Sequence, residues 1–310
     1  MRVLFWGTPE FAAPPLRALI GEGFDVIGVV TQPDRPVGRS RSKLQAPPVK
    51  EIALAELIPV LQPERPRGDE FVTQLQALAP DISVVVAYGH ILPTEVIDLP
   101  RLGTINIHAS LLPKLRGAAP IQAAIREGHT ETGVTIMRMV KALDAGPWIV
   151  QARTPIPDDE TYGELQLRLA EMGAMALIEA LALIELGQAT ETDQDESQAT
   201  YAPKVDRTMA RVDWNADART VSRIIRAYDP RPGAWAEAKS GEVKLYGARF
   251  SPRTSSSLPG EVLEITHDGM TVACSSGAVD IANVQPAGKR RISPEEWAHG
   301  RGIGVGERLF

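Results

Sequence analysis

Apolar runs in this chain are short and nearly continuous. Val26-Ile27-Gly28-Val29-Val30, Ile82-Ser83-Val84-Val85-Val86-Ala87 and Thr104-Ile105-Asn106-Ile107-His108 are rich in β-branched residues and read as strands buried on both faces. The opening run ends at Gly7 and predicts a first core strand, being far too short for a signal peptide or a membrane span. Helix-like stretches such as Asp69 to Leu78 alternate with these runs, which predicts βαβ units and an α/β domain with a mostly parallel, Rossmann-like sheet. From Thr161 to Leu186 the apolar residues Leu165, Leu169, Met172, Ala176 and Leu183 recur at helical spacing, with Thr161 as N-cap and Gly187 as stop. This helix is expected to close a first domain over residues 1–187.

The pattern then changes. Gln188 to Gln198 carries Glu191, Asp193, Asp195 and Glu196 without a core-type run, so a linker is expected over 188–206. Beyond it come a helix from Asp217 to Ala227 and short runs at Val243–Tyr246, Glu261–Ile265, Met270–Cys274 and Val279–Val284, punctuated by Gly, Pro and Ser. Such strands predict a small, OB-like β-barrel over 207–310, with Trp235 and Tyr246 in its core.

The 310 residues, 44% hydrophobic and 23% charged, suit two globular domains. One cysteine, Cys274, excludes an internal disulfide and a multi-cysteine zinc cluster, so a cytoplasmic location is expected. A net charge of -6 counts against a nucleic-acid partner unless basic residues are concentrated locally. They are: Arg39, Arg41 and Lys43 fall within five residues of a Gly- and Ser-containing loop, and Arg219, Arg223 and Arg226 recur at helical spacing. Either set is a solvated surface or a phosphate-binding one.

Three positions carry candidate chemistry. Asn106 and His108 stand at i and i+2 of one strand, so both project from the same face close to its end. An amide donor beside an imidazole is what a developing oxyanion requires, and the imidazole can also exchange a proton near neutral pH. Asp144, in the Leu143-Asp144-Ala145-Gly146 turn, supplies a carboxylate or is simply a turn residue. Gly7-Thr8-Pro9-Glu10-Phe11 occupies the place of a dinucleotide fingerprint but has one glycine, too few for a pyrophosphate cradle.

Asn106 with His108, the turn Ser110-Leu111-Leu112-Pro113, the run Arg116-Gly117-Ala118-Ala119-Pro120-Ile121-Gln122 and Asp144 together resemble the formyltetrahydrofolate-dependent formyltransferase family. Thr8-Pro9-Glu10-Phe11, Thr31 to Pro36, Val85 to Gly89, Tyr201-Ala202-Pro203-Lys204 and Gln285 to Lys289 are similar to those members whose acceptor is an aminoacylated tRNA, so the resemblance spans nearly the whole chain. It implies transfer of the formyl group of 10-formyltetrahydrofolate, a cosubstrate, to the α-amino group of methionine on initiator tRNA, as needed for translation initiation. No tightly bound cofactor, metal or membrane is implied. It also implies Asn106, His108 and Asp144 as catalytic, Ser110, Leu111, Leu112 and Pro113 as folate-binding, and Arg39, Arg41 and Lys43 as tRNA-binding. Departures occur at Val140 to Pro147, where the neighbours of Asp144 differ from the family pattern, at Ala109, often glycine, and at Pro14-Pro15. Two rivals remain, a formyltransferase acting on a small amine and an RNA-binding protein with a dead transferase domain.

Overall fold

A computed structural model describes residues 1–37, 43–253 and 256–310. Its first half runs β1 (Arg2–Gly7), α1 (Ala13–Gly21), β2 (Asp25–Val30), β3 (Arg35–Val37), β4 (Lys43–Gln45), α2 (Pro48–Ala55), β5 (Val60–Leu61), α3 (Asp69–Leu78), β6 (Ile82–Val86), α4 (Thr94–Ile97) and β7 (Thr104–His108). There follow α5 (Pro120–Glu127), β8 (Glu131–Arg138), β9 (Trp148–Pro155), α6 (Tyr162–Glu185), α7 (Ala218–Ala227), β10 (Ala234–Ala238), β11 (Gly241–Ser251), β12 (Val262–Thr266), β13 (Gly269–Ala273), β14 (Ala278–Pro286) and α8 (Pro294–His299). Two compact units result, one of residues 1–117, 132–154 and 166–201, the other of 118–131, 155–165 and 202–310.

The first unit is built on a seven-stranded sheet in the order β5-β2-β1-β6-β7-β8-β9. Pairings from β5 to β7 are parallel, and β8 runs antiparallel to β7. On one face Leu4 and Trp6 of β1 pack with Phe71 and Leu75 of α3 and with Val96 and Ile97 of α4. Trp6 meets Tyr88 edge-on at 5.3 Å between ring centroids and donates its indole N–H to Ser83. The alternate residues Val3, Phe5, Val84 and Val86 are also fully buried, so these strands are covered on both faces, which explains their unbroken apolar character. At α6, Thr161 and Glu164 form a reciprocal capping box, Thr161 N–H donating to Glu164 at 2.9 Å and Glu164 N–H to Thr161 Oγ1 at 3.4 Å. Pro14 and Pro15, where the chain departs from the family pattern, stand in the first turn of α1, where their missing N–H groups cost nothing.

Residues 188–201, expected as linker, are built into the first unit. Thr192 bridges to Trp148 and Tyr201 to Arg116, and the polar side chains between them answer the buried guanidinium of Arg116. Gln194 and Glu196 supply that partnership, while most of the other polar side chains of the segment are exposed.

The second unit carries an antiparallel sheet in the order β10-β11-β14-β13-β12. Its edge strands are joined by the last residues of the chain. Phe310 exchanges backbone hydrogen bonds with Glu237 of β10, while Leu309 N–H donates to Gly260 O at 2.9 Å and Val262 N–H to Glu307 O at 2.9 Å. This covers both edges, which are otherwise templates for pairing with other chains. Asp217 caps α7 by accepting from Arg219 and Thr220 N–H. Two sequence expectations change here. Arg226 is buried and donates to Glu160 O at 2.8 Å, so it leaves the proposed surface stripe to Arg219 and Arg223. Tyr246 is in the core, but Trp235 is only half-buried, because its indole N–H donates to Arg207 O and its ring lies under the guanidinium groups of Arg207 and Arg211. Among the described residues no helix is long and apolar enough to cross a membrane.

Candidate active site

The strand order reverses beside β1, since the chain passes from β1 to β2 on one side and later enters β6 on the other. Ligands of open α/β sheets collect at the carboxyl ends of strands around such a point. Here Thr8 Oγ1 and Gln32 Nε2 both donate to Tyr88 O, at 3.0 and 2.9 Å, tying together the ends of β1, β2 and β6. The glycine that opens this region, Gly7, is there for packing: a Cβ on it would lie 2.7 Å from Ala12 Cβ. Tyr88 has a buried hydroxyl without a hydrogen-bond partner among the described residues, and burial pushes its pKa up to about 12, so it moves no proton near neutrality.

On β7, next to β6, stand Asn106 and His108. Asn106 is half-buried and makes no side-chain hydrogen bond within the described residues, so its amide is uncommitted. His108 is buried and its Nε2 lies 2.9 Å from Leu115 O. A carbonyl oxygen only accepts, so Nε2 carries a hydrogen and the neutral ring keeps its lone pair on Nδ1. Nδ1 in turn lies 3.7 Å from Asp144 Oδ2, too far for a hydrogen bond in the neutral form but close enough for the carboxylate to balance an imidazolium.

Asp144 reaches this position from the turn after β8. Its backbone is left-handed, with φ 47°, a conformation that costs a non-glycine residue about 1–2 kcal/mol and is tolerated best by short polar side chains. Oδ2 accepts Gly117 N–H at 2.8 Å, which aims the carboxylate. The departures around it keep the turn closed: Arg138 N–H donates to Pro147 O at 2.8 Å, a bond that needs no N–H from the proline. A Cβ on Gly146 would lie 1.9 Å from Arg138 O. Gly146→Ala is therefore expected to lower the unfolding free energy by about 1–3 kcal/mol and to slow catalysis by moving Asp144, a result that denaturant unfolding and an activity assay on one sample would check. Unchanged values of both would mean the turn is soft.

Ser110, Leu111, Leu112 and Pro113 follow β7 directly. Ser110 Oγ donates to Lys114 O at 2.6 Å, Thr135 Oγ1 donates to Ser110 O at 2.7 Å, and Gln151 Nε2 donates to Leu112 O at 2.9 Å. The Leu112–Pro113 peptide is cis. These bonds spend the turn's polar groups internally and fold the chain back so that Leu115 presents its carbonyl to His108. Leu111 and Pro113, both half-buried, are left facing outward in part.

Sequence reasoning missed a network behind Asp144. Arg116, 2% exposed, donates from Nε and one Nη to Gln194 Oε1 at 3.0 and 2.7 Å and pairs with both oxygens of Glu196 at 2.9 and 2.7 Å. Gln194 Nε2 donates to the carbonyls of Asp144 and Gly146 at 2.8 and 2.7 Å. The acidic residues between Gln188 and Gln198 were a trace of it in the sequence, but nothing local tells a solvated acidic stretch from one that pairs with a distant arginine.

Of the basic loop, Arg39 and Arg41 lie outside the described residues, and Lys43 is placed only as the first residue of β4. The root of the loop is defined: Gln62 Nε2 and Lys50 Nζ both donate to Asp34, at 2.8 Å each to Oδ1, and these bonds hold its carboxyl below the usual carboxylate range.

A mostly parallel sheet with an amide, an imidazole and a carboxylate gathered near one strand end can stabilise an oxyanion and accept a proton during attack on a carbonyl, the chemistry of acyl or formyl transfer. The chain belongs to the formyl transferase family: residues 1–181 match the formyl transferase model and residues 204–302 the model of the formyl transferase C-terminal domain. It is 47% identical over 309 residues to the methionyl-tRNA formyltransferase of Methylococcus capsulatus, covering 100% of this chain and 99% of that one. Among solved structures it is similar in fold to HypX from Aquifex aeolicus in complex with tetrahydrofolic acid, with a TM-score of 0.71 at 22% identity, over 99% of this chain and 48% of that one, so it spans about half of HypX. The sugar 3N-formyl transferase WlaRD, in the presence of dTDP and 5-N-formyl-THF, has a TM-score of 0.66 at 16% identity over 94% of this chain and 99% of that one.

Proposed function

We propose that the chain transfers the formyl group of 10-formyltetrahydrofolate to the α-amino group of methionyl initiator tRNA, in the cytoplasm, with Asn106, His108 and Asp144 as its catalytic residues. The observation that carries the chemistry is the uncommitted Asn106 amide two residues along the strand, on the same face, from an imidazole whose free nitrogen faces a carboxylate. The amine nitrogen attacks the formyl carbon and the carbonyl π electrons move onto oxygen, where the Asn106 amide donates to the oxyanion. The amine then gives a proton to Nδ1 of His108, and Asp144 balances the imidazolium. As the oxyanion collapses, the bond from the formyl carbon to N10 of the folate breaks, and N10 recovers that proton. The turn Ser110, Leu111, Leu112 and Pro113 forms the wall against which the folate lies.

Full-length similarity to methionyl-tRNA formyltransferases supports tRNA as the acceptor. In this reading residues 1–187 are catalytic, 188–206 join the domains in sequence, and 207–310 bind tRNA, with Arg219 stacked on half-exposed Phe250 and Arg207 on Trp235 presenting cations to the RNA backbone. Arg39, Arg41 and Lys43 would meet phosphates of the acceptor stem.

A salt series separates this from a small-amine acceptor. Replacing Arg39, Arg41 and Lys43 with Ala should weaken transfer to methionyl-tRNA and flatten its salt dependence by about three counterions, roughly one per lost phosphate contact. Affinity for a folate analogue should barely change. An unaltered salt slope together with unaltered transfer would leave a merely solvated loop and favour a small amine.

A further inference from the structure

We propose that Gln194, in the polar segment after α6, is a positioning residue for the Asp144 carboxylate, and that Arg116 and Glu196 hold it in its working orientation. This rests on the reading of Asp144 given above. The amide has no freedom to flip. Arg116 offers only donors, so Oε1 must face it, and the carbonyls of Asp144 and Gly146 are only acceptors, so Nε2 must face them. The two hydrogens of Nε2 are thereby divided between the first and last carbonyls of the three-residue turn, fixing its width.

That width matters because the turn is held in a left-handed conformation at Asp144 while its side chain has to accept Gly117 N–H and face His108 at once. Gly117 is the residue next to Arg116. One residue therefore directly precedes the backbone donor that aims the carboxylate, and its buried guanidinium anchors the amide that holds the carboxylate's own backbone. Glu196, largely exposed, completes the chain of bonds and neutralises Arg116. None of the three touches the Asp144 carboxylate, so their influence is exerted through the turn.

Two substitutions test it, each in the wild-type and Asp144→Asn backgrounds, with single-turnover formyl transfer and KM for both substrates as readouts. Gln194→Glu sets an acceptor against the two carbonyls, and Gln194→Met keeps the length without hydrogen bonds and serves if the charged variant does not fold. In the wild-type background the expected result is a loss in rate of roughly 10–10²-fold, as for a catalytic group displaced by a fraction of an ångström to an ångström, with KM for the folate little changed. In the Asp144→Asn background the same substitution should cost less than about twofold, because the group it positions is already disabled. Wild-type turnover in the Gln194 variants would overturn the proposal. So would an equal fold-loss in both backgrounds, the signature of a general loss of active protein. Full activity of Asp144→Asn alone would instead show that the reading of Asp144 was wrong, and the positioning role would fall with it.

Discussion

Replacing Asp144 by Asn is expected to lower formyl transfer by about 10²–10⁴-fold, the range that general acid–base catalysis contributes, while leaving the protein folded and able to bind folate. The fold should survive because the amide oxygen of Asn can still accept Gly117 N–H, the bond that anchors this side chain. What is lost is the charge. An amide cannot balance the imidazolium that forms when Nδ1 of His108 takes the proton of the attacking amine, because the oxygen that keeps the Gly117 bond and faces that nitrogen is then neutral. The loss should therefore lie in the rate of the chemical step, with KM for methionyl-tRNA nearly unchanged. Rapid-quench measurement of a single turnover checks it, and a rate within a few-fold of wild type would reduce Asp144 to a turn residue.

Truncation of the strand pair should be nearly as damaging. Asn106→Ala removes the uncommitted amide donor and is expected to cost on the order of 10²–10³ in turnover, as for other lost oxyanion partners. No hydrogen bond within the described residues is broken by it, so stability should stay close to wild type. His108→Ala should cost a similar factor by removing the proton acceptor, but it also leaves the buried carbonyl of Leu115 without its donor, so some stability is lost as well. The contrast between the two variants, equal in rate and unequal in stability, is itself diagnostic. Near-normal turnover in either would sink the assignment of roles.

How far the site was legible follows from which interactions are local. Asn106 and His108 share a strand, and period-two geometry alone places them on one face; the buried strands around them announce themselves by their apolar runs. The capping box at Thr161 and the N-cap at Asp217 are likewise encoded within four residues. Long-range partnerships were not legible. Nothing near Gln194 shows that it reaches a turn 50 residues earlier, and an acidic stretch looks the same whether it is solvated or neutralises a buried arginine 80 residues away. β10 was missed because Ala234, Ala236 and Ala238 have little strand propensity and are held by pairing with β11. The C-terminal residues that join the sheet edges gave no local signal either, since two edges can be counted only once the strand order is known.

The central claim is the identity of the acceptor and donor, and one assay meets it directly. The enzyme is given 10-formyltetrahydrofolate labelled in the formyl carbon, with methionyl initiator tRNA and an amino-sugar nucleotide present together, and the label is followed in each acceptor. The account predicts label on the α-amino group of methionyl-tRNA over many turnovers, loss of that label in the Asn106→Ala, His108→Ala and Asp144→Asn variants, and none on the sugar. Label on the small amine with none on the tRNA, or no transfer by the wild-type protein at all, would contradict it.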